Sequence, residues 1–291
     1  MKIFIAGCGY IGERIARKYQ ESGVDVTCQV RAEEHGTKLA SSGFPVVITT
    51  LDNTVSLQQF DLADSILFYL VPPPGGGNTD SRARNFISHI KPTGKPLKII
   101  YMSATSVYSE TVDGIVTEES PTSPESAMGK RRLDAEAVFT NYGSANQIPV
   151  IILRVSGIYG PGRLPVMQIT QGQPLLREEE SGPSNRIHAD DLADICIAAA
   201  EQGGYGDIFN ISDGQPSSMT SYFNACADTL GLPRQPQVSF SEASMAMSPL
   251  MFSYVCQSRV VDNRRMLDRL NVKLRYETLS EGLAASVTRQ G

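Results

Sequence analysis

Short apolar runs alternate with amphipathic stretches through the first half of the chain. Ile3–Ala6, Val24–Val30, Pro45–Thr49, Ser65–Leu70, Leu97–Met102 and Val150–Leu153 are near-continuous in Val, Ile, Leu and Phe. That is the pattern of strands buried on both faces. Between them Ile11–Glu21, Glu33–Ala40, Ser81–Ile90 and Gly129–Asn141 read as helices. Such alternation predicts βαβ units and a parallel sheet, with right-handed crossovers that place helices on both faces. The expected fold is α/β, a doubly wound Rossmann-type sheet over residues 1–160. From Pro161 the pattern loosens, with helices expected at Asp190–Glu201, Thr220–Leu230 and Asp262–Leu270. Residues 161–291 should form mainly a smaller C-terminal substrate lobe, some segments of which return to the sheet. Two polar, Pro/Ser-rich segments, Glu110–Glu125 and Gly172–Asn185, read as loops at the carboxyl edge, where open α/β sheets bind ligands.

Composition narrows this picture without changing it. With 41% hydrophobic and 20% charged residues, the 291-residue chain has the balance of a soluble globular protein. A net charge of −5 argues against nucleic acid or an anionic membrane as partner. No apolar run approaches the roughly 20 residues that span a bilayer. A strand begins at Lys2 and leaves no room for a signal sequence, so the expected location is cytoplasmic. The five cysteines, Cys8, Cys28, Cys196, Cys226 and Cys256, are scattered and form no CxxC pair. Neither a disulfide framework nor a metal site is expected.

The strongest motif is Gly7-Cys8-Gly9-Tyr10-Ile11-Gly12, set between an apolar strand and an amphipathic helix. Gly7 permits the tight turn, Gly9 lets the backbone approach a pyrophosphate, and Gly12 allows close helix–strand packing. The helix N-terminus adds free N–H groups and a positive dipole end. This points to a nicotinamide dinucleotide held by Gly7, Gly9, Tyr10, Ile11 and Gly12. The second strand ends in Arg31, where an NAD-preferring site usually carries an acid for the ribose 2′-hydroxyl. An arginine there suits a 2′-phosphate, so NADP(H) is the expected cofactor, with NAD(H) as the other occupant. Leu51 and Asp52 follow the third strand and suit the two sides of an adenine. Val71 and Pro72 open a Pro/Gly loop suited to lying against a flat ligand.

Longer stretches resemble the extended short-chain dehydrogenase/reductases, the family often labelled NAD-dependent epimerase/dehydratase. They are the segment from Ile100 to Tyr108, Leu153-Arg154-Val155-Ser156-Gly157-Ile158-Tyr159-Gly160-Pro161-Gly162-Arg163, Arg186-Ile187-His188-Ala189-Asp190-Asp191-Leu192-Ala193, and Phe209-Asn210-Ile211-Ser212-Asp213-Gly214. The last is similar to that family's late strand and turn. The resemblance implies a Rossmann domain plus a substrate lobe. It also implies a Ser/Thr, a Tyr and a Lys acting on a nucleotide-sugar or other carbonyl compound. In it the tyrosine is the acid/base and the lysine lowers its pKa. This chain departs from that triad. Alignment on Val107-Tyr108 puts Ala104 in the serine position, flanked by Ser103 and Thr105; alignment on the helix from Gly129 puts Met128 and Arg132 at the tyrosine and lysine positions. A shift of two recovers Lys130 but leaves Ser126 in place of the tyrosine, and no register gives Tyr-x-x-x-Lys. Gly157 replaces an asparagine that often contacts substrate in the family.

Ser103, Thr105 and Lys130 are the remaining candidates for chemistry, with Ser103 also next to the cofactor. Arg163 and Arg186 are expected to clamp a substrate phosphate or carboxylate, with His188 beside them; His188 reads equally as the start of a helix capped by Asp190 or Asp191. Tyr108 and Tyr159 read as packing residues, His35 and His89 as surface residues. Met245, Met247, Met251 and Phe252 read as core. The function expected is an NADP(H)-dependent oxidoreductase or epimerase lacking the usual pair. The alternative is a catalytically silent NADP(H) sensor that changes its contacts with a partner. By analogy with the family, the helix from Gly129 would serve a homodimer.

Overall fold

The structure is a computed structural model that describes residues 1–55, 57–110, 114–248, 251–252 and 258–288. Cys256 lies outside the described residues. Seven strands form one sheet: β1 Lys2–Ala6, β2 Val26–Val30, β3 Val46–Ile48, β4 Ser65–Tyr69, β5 Lys98–Ala104, β6 Val150–Val155 and β7 Ile208–Ile211. Their order is β7-β6-β5-β4-β1-β2-β3, and every neighbouring pair is parallel. The chain runs outward from β1 through β2 to β3, then returns to the other side of β1 at β4. That reversal is a switch point, and it opens a crevice at the carboxyl ends of β1 and β4.

The main helices are α1 Tyr10–Glu21, α2 Glu33–Ser41, α3 Ser81–Ser88, α4 Ala127–Asn146, α5 Ala189–Gln202, α6 Met219–Leu230, α7 Arg264–Leu270 and α8 Leu279–Thr288. One face of the sheet is covered by Ile11, Ile15 and Tyr19 of α1, Leu39 of α2, Leu192 and Ile195 of α5, and Met266 of α7. The other is covered by Ala83 and Phe86 of α3 and Ala135 and Phe139 of α4. Between β3 and β4 no helix covers the sheet among the described residues; Leu51, Leu57, Phe60 and Leu62 fill that side instead, Phe60 stacking on Phe86 with ring centroids 4.5 Å apart.

A third core joins Tyr159, Leu164 and Ile169 to Tyr222, Phe223 and Cys226 of α6 and Leu283 of α8. Its segments pair repeatedly with residues before 160. Besides β7 on β6, Arg186–His188 pairs with Gly157–Tyr159 and Val260–Val261 with Ile115–Val116. Among the described residues no helix is long and apolar enough to cross a membrane.

Candidate functional site

The glycine turn is fixed from behind by Gln29, a polar residue buried in the middle of β2. Its side-chain oxygen accepts from the Gly7 N–H at 3.0 Å, and its amide nitrogen donates to the Thr49 carbonyl at 2.7 Å. Gly7 has φ +78°, and a Cβ there would lie 2.9 Å from Val71. A Cβ on Gly12 would press on Ile5 at 3.1 Å. Gly9 differs: a Cβ there would meet only the Gly7 carbonyl, at 4.0 Å. The one glycine of the three with free space before it is therefore the one at the N-terminal end of α1. His35 is half-buried rather than a plain surface residue, with Nε2 2.9 Å from the Cys8 carbonyl. The buried Cys8 and Cys28 thiols touch at 3.2 Å, and the bond from Cys28 followed by burial pushes the Cys8 thiol up.

Around this turn, Leu51 is buried and Asp52 exposed. Asp52 is held by Arg82 at 2.6 and 3.0 Å, and Arg82 also donates to the Pro72 carbonyl at 3.0 Å. The Arg82 bonds hold the Asp52 carboxyl below its usual range, with a smaller contribution from the charge of Arg31. Arg31 itself is exposed at the end of β2. Arg131 donates to the Gly77 carbonyl at 2.8 Å, so two arginines fix the Pro/Gly loop. The Tyr10 hydroxyl donates to the Pro161 carbonyl at 2.9 Å, and its ring carries the Arg14 and Arg163 guanidiniums at 4.0 and 4.6 Å.

A cleft of about 500 Å³ opens between the sheet's carboxyl edge and the C-terminal lobe, its walls including Thr105, Met128, Arg132, Arg163, Arg186 and Arg259. The residues at the family's tyrosine and lysine positions, Met128 and Arg132, thus both face the cleft. Arg132 is fixed by a bond to the Met102 carbonyl at 2.9 Å. Arg186 is buried and stacked on Tyr222 at 4.1 Å; Arg259 is buried and donates to the Thr105 carbonyl at 3.1 Å. Burial pulls both guanidiniums below their usual range.

Three expected site residues are not in this cleft. Ser103 is buried and its hydroxyl donates to Glu136 at 2.6 Å. Thr105 reaches the cleft from the single helical turn Thr105–Val107 that follows β5. Lys130 is exposed on α4, outside the cleft wall. His188 is buried at the start of α5, its Nδ1 accepting from the Asp190 N–H at 3.1 Å and its ring packed between Tyr159 and Tyr276. Its side chain caps the helix. Arg259 and Gln29 escape a reading by motif. Gln29 is signalled only by a polar residue in an apolar strand, and Arg259 by nothing local. Of the Met-rich stretch, Met251 lines the cleft, Met247 is buried and Met245 is exposed. The described residues contain no cluster of three metal-ligating side chains.

Behind Arg186, Asp213 follows β7 and accepts from the Gln215 N–H at 2.9 Å. Burial raises its carboxyl to about 6. The native state therefore keeps this proton over a range in which the unfolded chain has lost it, and stability falls as pH rises from about 4 to about 6. Asp213→Asn keeps the bond to Gln215 and removes the cost. The variant is expected to be more stable than the parent by about 2–3 kcal/mol at pH 8, with the two nearly equal at pH 4. Urea unfolding at both pH values checks this; an equal difference at both would remove Asp213 as its source.

Residues 82–212 match the model of the NAD dependent epimerase/dehydratase family. Human dTDP-D-glucose 4,6-dehydratase (Homo sapiens) is 30% identical over 122 residues, 39% of this chain and 35% of that protein. The match thus spans about a third of that relative's length. Protein YeeZ of Escherichia coli (strain K12) is 24% identical over 285 residues, covering 94% of this chain and 96% of that one. The solved structure of UDP-glucuronic acid 4-epimerase from Bacillus cereus, in complex with NAD, superposes with a TM-score of 0.76. At 21% identity over 99% of each chain, that likeness shows the fold.

Proposed function

We propose that this chain, whose residues 82–212 match the model of the NAD dependent epimerase/dehydratase family, is an NADP(H)-dependent oxidoreductase or epimerase that works without a Tyr-x-x-x-Lys pair. The observation that carries this reading is the free space before Gly9 at the start of α1, between two glycines whose own space is filled. A pyrophosphate fits there against N–H groups at the positive end of a helix. When bound, the dinucleotide supplies or takes up a hydride. The chain's residues do the rest. Gly7, Gly9, Tyr10, Ile11 and Gly12 receive the pyrophosphate, and Leu51 and Asp52 border the adenine. Val71 and Pro72 flank the middle of the cofactor. Arg31, exposed and outside ion-pair distance of every acid among the described residues, receives the 2′-phosphate. At the reacting end Thr105 donates a hydrogen bond to a substrate oxygen, and Arg132 places a fixed positive charge where the family has its lysine.

Met128 supports a second reading. A thioether cannot donate a proton, and it faces the cleft at the tyrosine's position. A protein that binds NADP(H) and changes its contacts with a partner, without turnover, would need no donor there. Titration with NADPH and NADH tests the cofactor site first. Saturation near 100 times the dissociation constant should stabilise the fold by roughly 2.7 kcal/mol. Arg31→Ala should weaken NADPH by about tenfold or more and leave NADH unchanged. Binding of neither cofactor would overturn both readings. NADPH consumption with a panel of carbonyl compounds then decides between enzyme and sensor.

A further inference from the structure

We infer that the cleft is built for a compact substrate that carries its own oxyanion, a carboxylate or a phosphate, seated on Arg186 and Arg259 next to Thr105. This rests on reading the cleft as the substrate site. It goes further by naming the chemical class of the molecule that enters it.

Among the described residues the walls carry four arginines, Arg132, Arg163, Arg186 and Arg259, and no aspartate or glutamate. Among the described residues none of the four lies within ion-pair distance of an acid; Asp213 acts on Arg186 and Glu110 on Arg259 only at longer range. Two of these arginines are more than nine-tenths buried, Arg186 at 7% and Arg259 at 9% exposure. A buried cation without a partner is costly, and the cost falls when an anion joins it. Arg259 uses only one of its terminal nitrogens on the protein, at the Thr105 and Tyr108 carbonyls. Its other N–H donors, three of the five in a guanidinium, have no protein acceptor among the described residues.

The neutral groups point the same way. Ser106 and Ser156 line the cleft, and their hydroxyls are buried without a hydrogen-bond partner among the described residues. Two amides, Gln168 and Asn185, also line the wall, and Asn185 is engaged at both ends, donating to the Arg259 carbonyl at 2.8 Å and accepting from the Val261 N–H at 3.0 Å. The hydroxyls and the Gln168 amide can donate or accept, whereas the guanidiniums only donate, and an oxyanion only accepts. Both terminal nitrogens of Arg186 already donate to Ser184, Ser217 and Ser218, so Arg186 contributes its charge and Arg259 the free N–H donors that hold a carboxylate or a phosphate. The class that fits is a small keto or hydroxy acid, or a phosphorylated ketone or alcohol, with the anionic group beside the reacting oxygen.

The test uses the full chain and three probes at constant ionic strength: inorganic phosphate, oxalate and UDP-glucose, each titrated by calorimetry with and without NADPH. Saturable binding of phosphate or oxalate is expected, weakened at least tenfold in Arg259→Lys and in Arg186→Lys, which keep the charge but lose the planar fork. NADPH affinity should stay within twofold in both variants. If a lysine variant fails to fold, Ser156→Ala serves as the milder change, with weaker anion binding expected. The tighter of the two small anions identifies the source. Anion binding that persists unchanged in these variants would overturn the inference. So would UDP-glucose binding tenfold tighter than either anion and undisturbed by phosphate. NADPH binding with no anion binding would sink this inference alone, whereas anion binding without NADPH would sink the cofactor reading and leave the seat standing.

Discussion

Replacing Glu136 by alanine is expected to lower the unfolding free energy by about 3–5 kcal/mol. Glu136 lies on α4, 4% exposed, and faces Arg154 of β6, also 4% exposed. Two bonds join them, Nε to Oε1 at 3.1 Å and Nη2 to Oε2 at 2.8 Å, and Ser103 donates to the same carboxylate. The arginine's other supports are weaker: a 3.3 Å bond to the Glu118 carbonyl and the Tyr108 ring at 4.8 Å. Whatever the pair contributes net, removing one half leaves a guanidinium in the core without its counter-charge, and that is where the loss arises. For a chain of this size the midpoint of thermal unfolding should fall by roughly 10 °C. Glu136→Gln, which keeps an acceptor for Ser103, should lose less. A loss below about 1 kcal/mol for the alanine variant would mean that water reaches Arg154 and that this part of the core is not dry.

Gly9→Ala is expected to separate binding from folding. The added methyl has room in the structure, although φ −102° with ψ −141° lies outside the broad β region. Alanine is also a poorer N-cap than glycine, so stability should fall by about 1–2 kcal/mol. NADPH affinity should fall by roughly a hundredfold or more, because the methyl occupies the space through which a pyrophosphate reaches the N–H groups of α1. Gly7→Ala makes the contrast: with φ +78° and Val71 at 2.9 Å, it should cost about 1–3 kcal/mol of stability by itself. Calorimetry alongside urea unfolding reads both quantities. Parent-like affinity in folded Gly9→Ala would show that no phosphate passes over this glycine.

The parts of this molecule that were legible from residues alone share a physical cause. Strands β1, β4, β5 and β6 are buried along nearly their whole length, and double burial writes an uninterrupted apolar run. β7 is four residues long and broken by Asn210, whose side chain bonds to Tyr108 and the Val116 carbonyl. Its pattern alone does not announce a strand, and it stood out only through resemblance. Helix α8 went unread for a related reason, since its short apolar stretch carries Gly282 and Ser286. At the site, the glycine turn is local in sequence and could be placed. Ser103 was misplaced because strand alternation directs it into the Glu136–Arg154 pair rather than the cleft. His188, expected beside the substrate arginines or at a helix start, itself caps α5. Of the buried cleft arginines Arg186 could be read from its loop, and Arg259 could not, because it reaches the Thr105 carbonyl only through pairings between distant segments.

Those pairings bear on how the chain is made. The flank of β6 is covered by β7, and Val155 and Ile208 are 53 positions apart (208 − 155). During synthesis the first six strands emerge well before the seventh. Their sheet then ends in a six-residue, fully buried-type strand with one row of N–H and C=O groups unanswered. Such an edge is a template for another chain. Vectorial synthesis therefore holds this protein for an interval in its most association-prone state, until the second half arrives to close the sheet.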